Sequence, residues 1–428
     1  MEASSDPNQA DIPALQQTLV NRLKANNNLT TGEVTAAFLT IPRHPFLPDK
    51  PLDLVYKDEV IPTKFDDNDR SISSSSQPAM MAIMLEQLDL QPGQHVLEVG
   101  AGTGYNAALM GYLVGKHGRV TTIDLDEDTA EAAQEHLAAV GCTNVDVVCG
   151  DGMAGYAPHA PYDHIILTVG GWEIAPEWLA QLKPDGRLLL PLSLYGPQFA
   201  IAFERQEDHL LSVSIKPCGF MRLRGPNAGP NQSYSLGPDP GLHLGREQRS
   251  DAPETIDTEQ IYAWLTGPSE EYPTGIQTMP RQIFRSLMLW LALHEPRLVD
   301  VAAHDELIDL VPYLLEFEGA NPWRYSVGIL GEDGLALLRR MPQDEDEMAD
   351  GPRPFALTVR AYGTDKCVAQ KLAAHIQNWD AAGRPDVKGM RVRVYPVAGN
   401  GTAGTPVLSA AEVAVTRRWH TFVVDWQE

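Results

Sequence analysis

In the N-terminal half of the chain, short apolar runs alternate with segments whose apolar residues recur at helical spacing. Helices are predicted at Asn106–Val114 and Thr129–Val140, and two late strands at Phe199–Arg205 and Leu211–Ile215. The strands predicted around these helices are His95–Val99, Val120–Leu125, Val145–Cys149, His164–Val169 and Arg187–Leu192. Alternating strands and helices predict an α/β fold, in which helices cover both faces of a parallel sheet.

The segments on either side of this pattern differ from it and suggest the domain limits. A polar amphipathic helical segment is predicted at Ile12–Leu39. After Gly225, the stretch Pro226–Pro253 is dense in glycine, proline, asparagine and serine, which is typical of a linker or a mobile loop. We therefore predict a catalytic domain over residues 1–225, a linker over 226–255 and a smaller α+β domain over 256–428.

The α+β prediction rests on mixed helix and strand patterns beyond the linker. Its predicted helices are Thr258–Leu265, Arg281–Leu293, Glu306–Phe317 and Lys366–Ala382. Its predicted strands are Ser326–Leu330, Leu335–Leu338, Phe355–Tyr362, Met390–Val397 and Thr421–Trp426. The acidic run Asp344–Glu347 is interpreted as a solvated loop.

The amino-acid composition of the chain limits the kinds of partner that it is expected to bind. The 428 residues carry 33 Lys and Arg against 57 Asp and Glu, a net charge of −24, which disfavours nucleic acid and anionic membranes. The four cysteines form no CxxC pair, and the histidines show no HExxH spacing, so we expect reduced thiols and no metal. No apolar run reaches the roughly 18 residues of a membrane span, and the start lacks signal-peptide character, which favours a cytoplasmic protein.

A glycine-rich turn follows the first predicted strand of the sheet. Gly100, Gly102 and Gly104 are spaced GxGxG, and Glu98 stands two positions before the first of them. A dinucleotide site would show GxGxxG instead. An acid at this place suits a ligand with an ammonium group, such as the methionine part of S-adenosylmethionine.

Two more acids follow successive strands. Asp124 ends the second strand, where a carboxylate can bind both ribose hydroxyls of an adenosine. Asp151 ends the third strand, where it can accept a hydrogen bond from an adenine amino group, and Gly152 leaves room for the ring. Each acid alone could be a helix cap or a turn residue. Three acids at three strand ends favour S-adenosylmethionine as the cofactor.

Several loops resemble those of one family. Thr40–Phe46 reads TIPRHPF, Ser74–Pro78 reads SSSQP, and Gly150–Gly152 reads GDG. These segments, with the closing Gly219–Gly225, are similar in kind and order to the protein L-isoaspartate O-methyltransferases over about residues 30–225. The resemblance implies a Rossmann-like class I S-adenosylmethionine methyltransferase domain that methylates a carboxylate of a peptide or protein.

The chain departs from that family near the expected substrate pocket. Ser74 and Ser75 stand where the bacterial repair enzymes usually carry Thr-Ile, and Arg222 replaces a proline. With the long C-terminal part, the chain looks more like the long actinobacterial homologues that tailor ribosomally made peptides, encoded beside lanthipeptide or graspetide synthetases. Those enzymes methylate an aspartate of a cyclised peptide, and the ester collapses to a succinimide that can open to isoaspartate.

Three functions are therefore open at this point. The first is tailoring of a ring-constrained peptide, and the second is repair of isoaspartate in aged proteins. The third is a catalytically silent scaffold that binds peptide through its C-terminal part, which the intact acids at the strand ends disfavour. The oligomeric state is left undetermined by the sequence.

The resemblance and the motifs together predict the site residues. A carboxylate is already ionised at neutral pH, so methyl transfer needs alignment rather than a general base. Ser76 is expected to orient the substrate carboxyl, with capping of the following helix as its alternative role. Cofactor contacts are expected from Ser75, Gln77, Glu98, Gly100, Ala101, Gly102, Thr103, Gly104, Asp124, Leu125, Asp151, Gly152 and Thr168. Substrate contacts are expected from Ser74, Ser76, Tyr105, Trp172, Met221 and Arg222.

Overall fold

The structure is a computed structural model that describes most of the chain. The described residues are 11–66, 71–225, 229, 232–238, 241–247, 256–317, 323–341, 353–397, 408–409 and 412–427. Much of the predicted linker and the acidic run Asp344–Glu347 therefore lie outside the described residues. No helix within the described ranges is long and apolar enough to cross a membrane.

The described elements alternate between helix and strand in the first half and are mainly strands in the second. The helices are α1 (Ile12–Ala25), α2 (Gly32–Thr40), α3 (Leu52–Val55), α4 (Pro78–Leu88), α5 (Tyr105–Val114), α6 (Glu127–Ala139), α7 (Pro176–Gln181), α8 (Thr258–Leu265), α9 (Pro280–Gln282), α10 (Met288–His294) and α11 (Cys367–Ala381). The strands of the first half are β1 (Ile61–Phe65), β2 (Ser71–Ser75), β3 (His95–Val99), β4 (Arg119–Asp124), β5 (Val145–Cys149), β6 (Tyr162–Leu167), β7 (Leu182–Ser193), β8 (Gln198–Arg205) and β9 (Leu210–Cys218). Those of the second half are β10 (Gln232–Ser235), β11 (Leu242–Arg246), β12 (Ser269–Thr278), β13 (Leu298–His304), β14 (Leu315–Phe317), β15 (Trp323–Leu330), β16 (Gly334–Met341), β17 (Phe355–Gly363), β18 (Met390–Pro396), β19 (Val413–Thr416) and β20 (His420–Trp426).

The predicted α/β sheet is confirmed. Strands β5, β4, β3, β6 and β7 run parallel in that order, and β8 and β9 continue the sheet in the antiparallel sense. All seven predicted strands of this half are present, with ends shifted by a few residues. The carboxyl ends of β3 and β4 lie side by side, so the loops after them meet at one edge of the sheet.

The end of the chain returns to this first sheet. Strand β18 pairs with β9 through Arg393 with Leu211 and Val394 with Leu210, and β20 and β19 follow outside it. Phe422 of β20 is fully buried in the same apolar cluster as the strands of the first half. The predicted domain boundaries therefore differ from the structure, because the last three strands complete the N-terminal sheet instead of a separate C-terminal one.

Apart from β1 and β2, which pair only with each other among the described strands, the remaining strands form a second, antiparallel sheet. Its order is β10-β11-β13-β15-β16-β17-β12, and β14 adds to β15. The predicted linker contributes β10 and β11 to this sheet, so that it is not wholly a linker. The helix predicted at Glu306–Phe317 is wrong: the segment forms a 3-10 helix at Asp305–Leu310 and then β14, which pairs with β15. Tertiary pairing overrides a weak helical pattern here.

The helical segment predicted at Ile12–Leu39 divides into α1 and α2. The break lies at Asn27, whose φ of 56° places it in the left-handed region. Asparagine tolerates this conformation better than most residues do, so it ends α1 at little cost. Both helices contribute to the apolar cluster that covers one face of the first sheet.

A buried carboxylate lies within the first sheet, below the glycine-rich turn. Glu98 is 0% exposed; it accepts hydrogen bonds from Asn106 Nδ2 at 2.7 Å and Thr122 Oγ1 at 2.6 Å. Burial raises the pKa of Glu98 to about 7, and the two hydrogen bonds oppose this shift. The protonation state of Glu98 therefore depends on the burial and the hydrogen bonds that the folded chain provides beneath the glycine-rich turn.

We predict that Phe422→Ala will lower the free energy of unfolding by about 3–5 kcal/mol, because it leaves a cavity where β20 joins the first sheet. Phe284→Ala, at a ring that is 40% exposed, is the matched control and should change stability by less than about 1 kcal/mol. Chemical denaturation measures both. Equal effects would show that the C-terminal strands are not part of the core of the first sheet.

We also predict a pH dependence of stability that Glu98→Gln removes. Because the folded pKa lies above the unfolded value, the contribution of Glu98 is full below about pH 4.5 and is lost as the pH rises through about 7. The wild type should lose on the order of 3 kcal/mol relative to Glu98→Gln across this window. Glutamine can accept from Asn106 and donate to Thr122, so that packing is preserved. A stability difference that stays constant from pH 5 to 8 would contradict the prediction.

Candidate active site

A cavity of about 490 Å³ opens at the carboxyl ends of β3 and β4. Most of its lining comes from β2 with the start of α4, the glycine-rich turn with the start of α5, the ends of β4 and β6, and residues 217–224, and Val60, Pro62 and Gly152 complete it. The predicted site residues that line it are Ser74, Ser75, Ser76, Gln77, Gly100, Ala101, Gly102, Thr103, Tyr105, Asp124, Leu125, Gly152, Thr168, Met221 and Arg222. The structure thus brings most of the predicted site together around one cavity.

The glycine-rich turn has a backbone conformation that needs glycine. Gly100 has a φ of +106°, and a Cβ atom there would lie 2.7 Å from Thr168 Oγ1. Thr168 instead donates its hydroxyl to Gly100 O at 2.6 Å, which fixes the turn to the end of β6. Gly104, with a φ of +85°, occupies the N-cap position of α5, whose first residues face the cavity. Thr168, which was predicted to contact the cofactor, thus also holds the turn in place.

Asp124 lies beside this turn at the end of β4. Its Oδ2 accepts a hydrogen bond from Gly102 N at 3.0 Å, and its Oδ1 accepts one from Asp126 N at 3.3 Å. Asp126 is held in turn by Lys64 and Arg224 at 2.9 and 2.7 Å, and the Arg224 hydrogen bond is the main cause of its lowered pKa. Asp124 therefore faces the cavity as a carboxylate that is fixed at both oxygens.

Three predicted cofactor residues, Glu98, Gly104 and Asp151, are not among the residues that line the cavity. Glu98 does not line the cavity, and Asn106, which does, donates to its carboxylate. Asp151 accepts from Met153 N at 3.0 Å and caps a 3-10 turn, which was its alternative role. A Cβ atom on Gly152 would meet Val99 Cγ1 at 2.3 Å, so this glycine is required by packing against β3. These residues shape the wall, and direct contact between their side chains and a ligand remains a prediction.

The serine-rich wall is fixed by a buried arginine. Arg43 is 0% exposed; it donates to Val55 O at 2.9 Å, to Ser75 Oγ at 3.1 Å and to Ser76 O at 2.9 Å. Burial lowers the pKa of Arg43 to about 10, so that the guanidinium remains charged at neutral pH. One buried cation thus ties residues 75–76 to the loop that precedes β1.

Ser76 lies at the cavity with its hydroxyl available. Within the described residues, this hydroxyl has no hydrogen-bond partner, while the backbone carbonyl is held by Arg43. The N-cap of α4 is Gln77, which makes no side-chain cap; Asp58 Oδ1 instead accepts from Ala79 N at 2.8 Å. Ser76 therefore does not cap α4, which was its alternative predicted role.

The predicted substrate residues divide into two groups. Met221 and Arg222 line the cavity, where residue 222 bridges to Gly170 of the loop after β6. Tyr105 also lines it but is only 2% exposed and packs as much into the core as toward the cavity. Trp172 does not line this cavity: it faces a second one, and the Arg417 guanidinium lies 5.5 Å from its ring centroid. Trp172, predicted to contact the substrate together with Met221 and Arg222, therefore lies on the loop after β6 but faces the other cavity.

The second cavity, of about 180 Å³, lies between the two sheets. The first sheet contributes the loop after β6 and the turn between β7 and β8, and the second sheet contributes β11, β13 and β15. Arg222 lines both cavities and therefore marks the place where they adjoin.

The donor groups of the first cavity fit S-adenosylmethionine. A fixed carboxylate, Asp124, stands beside the apolar side chains of Ile123 and Leu125, which suits the ribose and the base of an adenosine. The amino end of α5 and the glycine-rich turn expose backbone next to them. Within the described ranges, no group of three or more His, Cys, Asp or Glu side chains is placed to hold a metal ion.

Sequence reasoning missed several residues that build this site. Arg43 stood inside the recognised Thr40–Phe46 motif, which was the available signal, but its role appears only when the chain folds. The roles of Lys64 and Arg224 were missed because their partner Asp126 lies 62 and 98 residues away in the chain. Asn106 is only eight residues from Glu98, but its contact depends on how α5 packs against β3.

The first half of the chain is similar in sequence to known proteins of one family. The family model described as protein-L-isoaspartate(D-aspartate) O-methyltransferase matches residues 14–225. A Thermotoga maritima protein-L-isoaspartate O-methyltransferase is 41% identical over 184 residues, which span 42% of this chain and 57% of that protein. A Methanococcus aeolicus protein of the same name is 36% identical over 221 residues, which span 52% of this chain and 97% of that protein.

Among solved structures, one named protein-L-isoaspartate O-methyltransferase aligns with a TM-score of 0.48 and 25% identity, over 88% of this chain and 96% of that one. The extent and identity of the sequence matches, together with the doubly wound sheet and its glycine-rich turn, identify the chain as a member of the protein-L-isoaspartate O-methyltransferase family of S-adenosylmethionine-dependent enzymes.

Proposed function

We propose that this enzyme methylates the side-chain carboxylate of an aspartate in a ring-constrained, ribosomally made peptide. The observation that carries the proposal is that the first cavity, with the free Ser76 hydroxyl at its wall, adjoins a second cavity built partly by the C-terminal sheet. A substrate larger than an isolated aspartyl residue can contact both. The N-terminal half supplies the reaction, and the C-terminal half supplies contacts beyond the carboxylate.

The chemistry requires little from the protein besides alignment. Bound S-adenosylmethionine supplies an electrophilic methyl group on a sulfonium. Asp124, Leu125 and the glycine-rich turn would hold this cofactor, and transfer of its methyl group from sulfur to a carboxylate oxygen of the substrate would give the methyl ester and S-adenosylhomocysteine. Ser76 orients the carboxyl or the adjacent backbone, and the Ser74–Ser76 wall, held by Arg43, keeps the oxygen in line with the methyl carbon. The ester carbonyl then reacts with the following amide nitrogen, methanol leaves, and a succinimide forms that can hydrolyse to isoaspartate.

The other predicted residues keep their proposed roles under this scheme. Asp124 holds the ribose, Ser75, Gln77, Leu125 and Thr168 contact the cofactor, and Met221 and Arg222 contact the substrate. Glu98 acts on the ligand through Asn106, since its own carboxylate lies behind the cavity wall. Trp172 belongs to the second cavity and would contact a part of the substrate remote from the methylated carboxylate.

The second candidate is repair of isoaspartate in aged proteins. It is favoured by the names of the relatives, which are protein-L-isoaspartate O-methyltransferases. The length of the chain does not decide between the two, because the match covers only 57% of the Thermotoga protein, so that this relative is also longer than the matched region. The acceptor must be determined by experiment.

We predict that Ser76→Ala and Asp124→Ala will affect different steps. Ser76→Ala should lower kcat about 10-fold or more with little change in cofactor affinity, because its hydroxyl acts on the substrate. Asp124→Ala should weaken cofactor binding by about 1.5–3 kcal/mol, because it removes charge-assisted hydrogen bonds. Calorimetry with S-adenosylhomocysteine and steady-state kinetics separate the two effects. Parallel loss of binding and turnover in Ser76→Ala would assign the serine to the cofactor site or to the fold.

The acceptor itself is tested with the full-length enzyme and three peptides. These are a cyclised peptide from a candidate gene cluster, its linear precursor, and a linear isoaspartyl peptide. Under the proposal, mass spectrometry should show a gain of 14 Da on the cyclised peptide followed by loss of methanol, at a rate at least 10-fold above the linear precursor. Faster methylation of the isoaspartyl peptide would replace the proposal with the repair function.

A further inference from the structure

The second cavity contains a carboxylate that makes no ion pair. Asp300 lies on β13, between β11 and β15, where it is paired in register with Gly245 and Val327. In the described part of the chain, its carboxylate has no hydrogen-bond or salt-bridge partner, although it lines the cavity. Burial raises the pKa of Asp300 to about 6, so that it is still ionised at neutral pH. A partly buried negative charge without a partner gains free energy when a cationic ligand pairs with it.

The other charged residues that line this cavity already have interaction partners. Glu247 Oε2 accepts from Ser193 Oγ at 2.8 Å, and Oε1 accepts from Arg417 at 3.3 Å. Arg222 and Arg246 also line the cavity, and both have interaction partners of their own. Asp300 is therefore the charged lining group, within the described residues, that an incoming ligand would neutralise.

The backbone around Asp300 leaves room for its carboxylate. Gly245 stands opposite it on β11, and a Cβ atom there would lie 2.5 Å from Asp300 Oδ1. Any larger residue at position 245 would displace the carboxylate. The rings of Trp172, Tyr195 and Tyr325 also line the cavity. The Arg417 guanidinium already lies 5.5 Å from the ring centroids of Trp172 and Tyr195, so that among the described residues the ring of Tyr325 is the aromatic group left for an incoming cation. Acidic and aromatic groups in one small cavity indicate a site for an ammonium or a guanidinium.

We propose that the second cavity is a subsite for a positively charged group of the peptide substrate, and that Asp300 is the specificity-determining residue that binds it. The group is the side chain of a lysine or arginine, or the N-terminal ammonium, a few residues from the methylated carboxylate. The assignment to a peptide rests on the proposed function, whereas the preference for a cation rests on the cavity alone. Arg222, which lines both cavities, separates the bound cation from the reacting carboxylate.

The first experiment measures binding without methyl transfer. Nα-acetyl-lysine amide and its isostere Nα-acetyl-norleucine amide are titrated by NMR into the full-length wild type and into Asp300→Asn. The wild type should bind the lysine compound at least 10-fold more tightly, and Asp300→Asn should bind both equally. Asp309→Asn, at an exposed carboxylate outside the cavity, is the matched control and should behave as the wild type. Equal binding of both compounds by the wild type would overturn the proposal.

The second experiment uses methylation as the readout. Nα-acetylated isoaspartyl peptides and cyclised peptides carry lysine or norleucine at each position near the acceptor, and a further set carries norleucine with a free N-terminus. One lysine position, or the free N-terminus, should raise kcat/KM at least 10-fold in the wild type but not in Asp300→Asn. A kcat/KM that is independent of charge at every position and terminus would overturn the proposal. If no peptide of any kind is methylated, the proposed function fails, and the binding experiment still decides the role of Asp300.

The unfolding temperature of each variant is measured to show that it is folded. Asp300→Asn should unfold at or above the temperature of the wild type, because it removes an unpaired buried charge. Gly245→Ala is a second variant that leaves Asp300 in the sequence but crowds its carboxylate, and it should also lose the lysine preference. Retention of the full preference by both folded variants would exclude Asp300 as the binding group.

Discussion

The return of the last strands to the first sheet is the constraint on which the rest of the structure depends. Strand β18 pairs with β9, and the apolar side chains of β18 and β20, such as Val392 and Phe422, are buried in the core of the first half. Because these strands follow the second sheet in the chain, their pairing holds that sheet against the loops at the carboxyl ends of the first. The second cavity lies between these loops and the strands β11, β13 and β15 of the second sheet.

Two buried charges organise the catalytic half in different ways. Arg43 is a cation without solvent contact that ties residues 75–76 to a distant loop through carbonyl and hydroxyl oxygens. Glu98 is a carboxylate that is satisfied by Asn106 and Thr122 beneath the glycine-rich turn. Buried charges are tolerated when they are hydrogen bonded, and such networks hold their partners in one geometry. The walls of the first cavity are thereby preorganised for an enzyme whose main task is alignment.

Besides the pairing of β18 with β9, a polar contact joins the C-terminal half to the loop after β6. Glu173, which is 1% exposed, accepts from Trp419 N at 2.9 Å and lies 3.0 Å from His420 Nδ1. This carboxylate follows Trp172 on the loop after β6, so that the turn before β20 and the wall of the second cavity are fixed together. The wall of the second cavity and the stability of the first sheet thus depend on the same C-terminal segment, and removing that segment would disturb both.

The sequence by itself determined the parallel sheet, the glycine-rich turn and the acids at the strand ends, because these depend on local periodicity and on loops whose residues are contiguous. It also indicated that Asp124 would face a site at the edge of the sheet, since carboxyl ends of parallel strands meet there, whereas Ser76 and Arg222 were expected at that site from the family resemblance. Only the tertiary structure decided that β18–β20 belong to the first sheet, that Trp172 faces a second cavity, and that Glu98 lies behind the wall. Strand pairing between distant segments and the burial of a charge depend on contacts far apart in the chain, which no local pattern encodes.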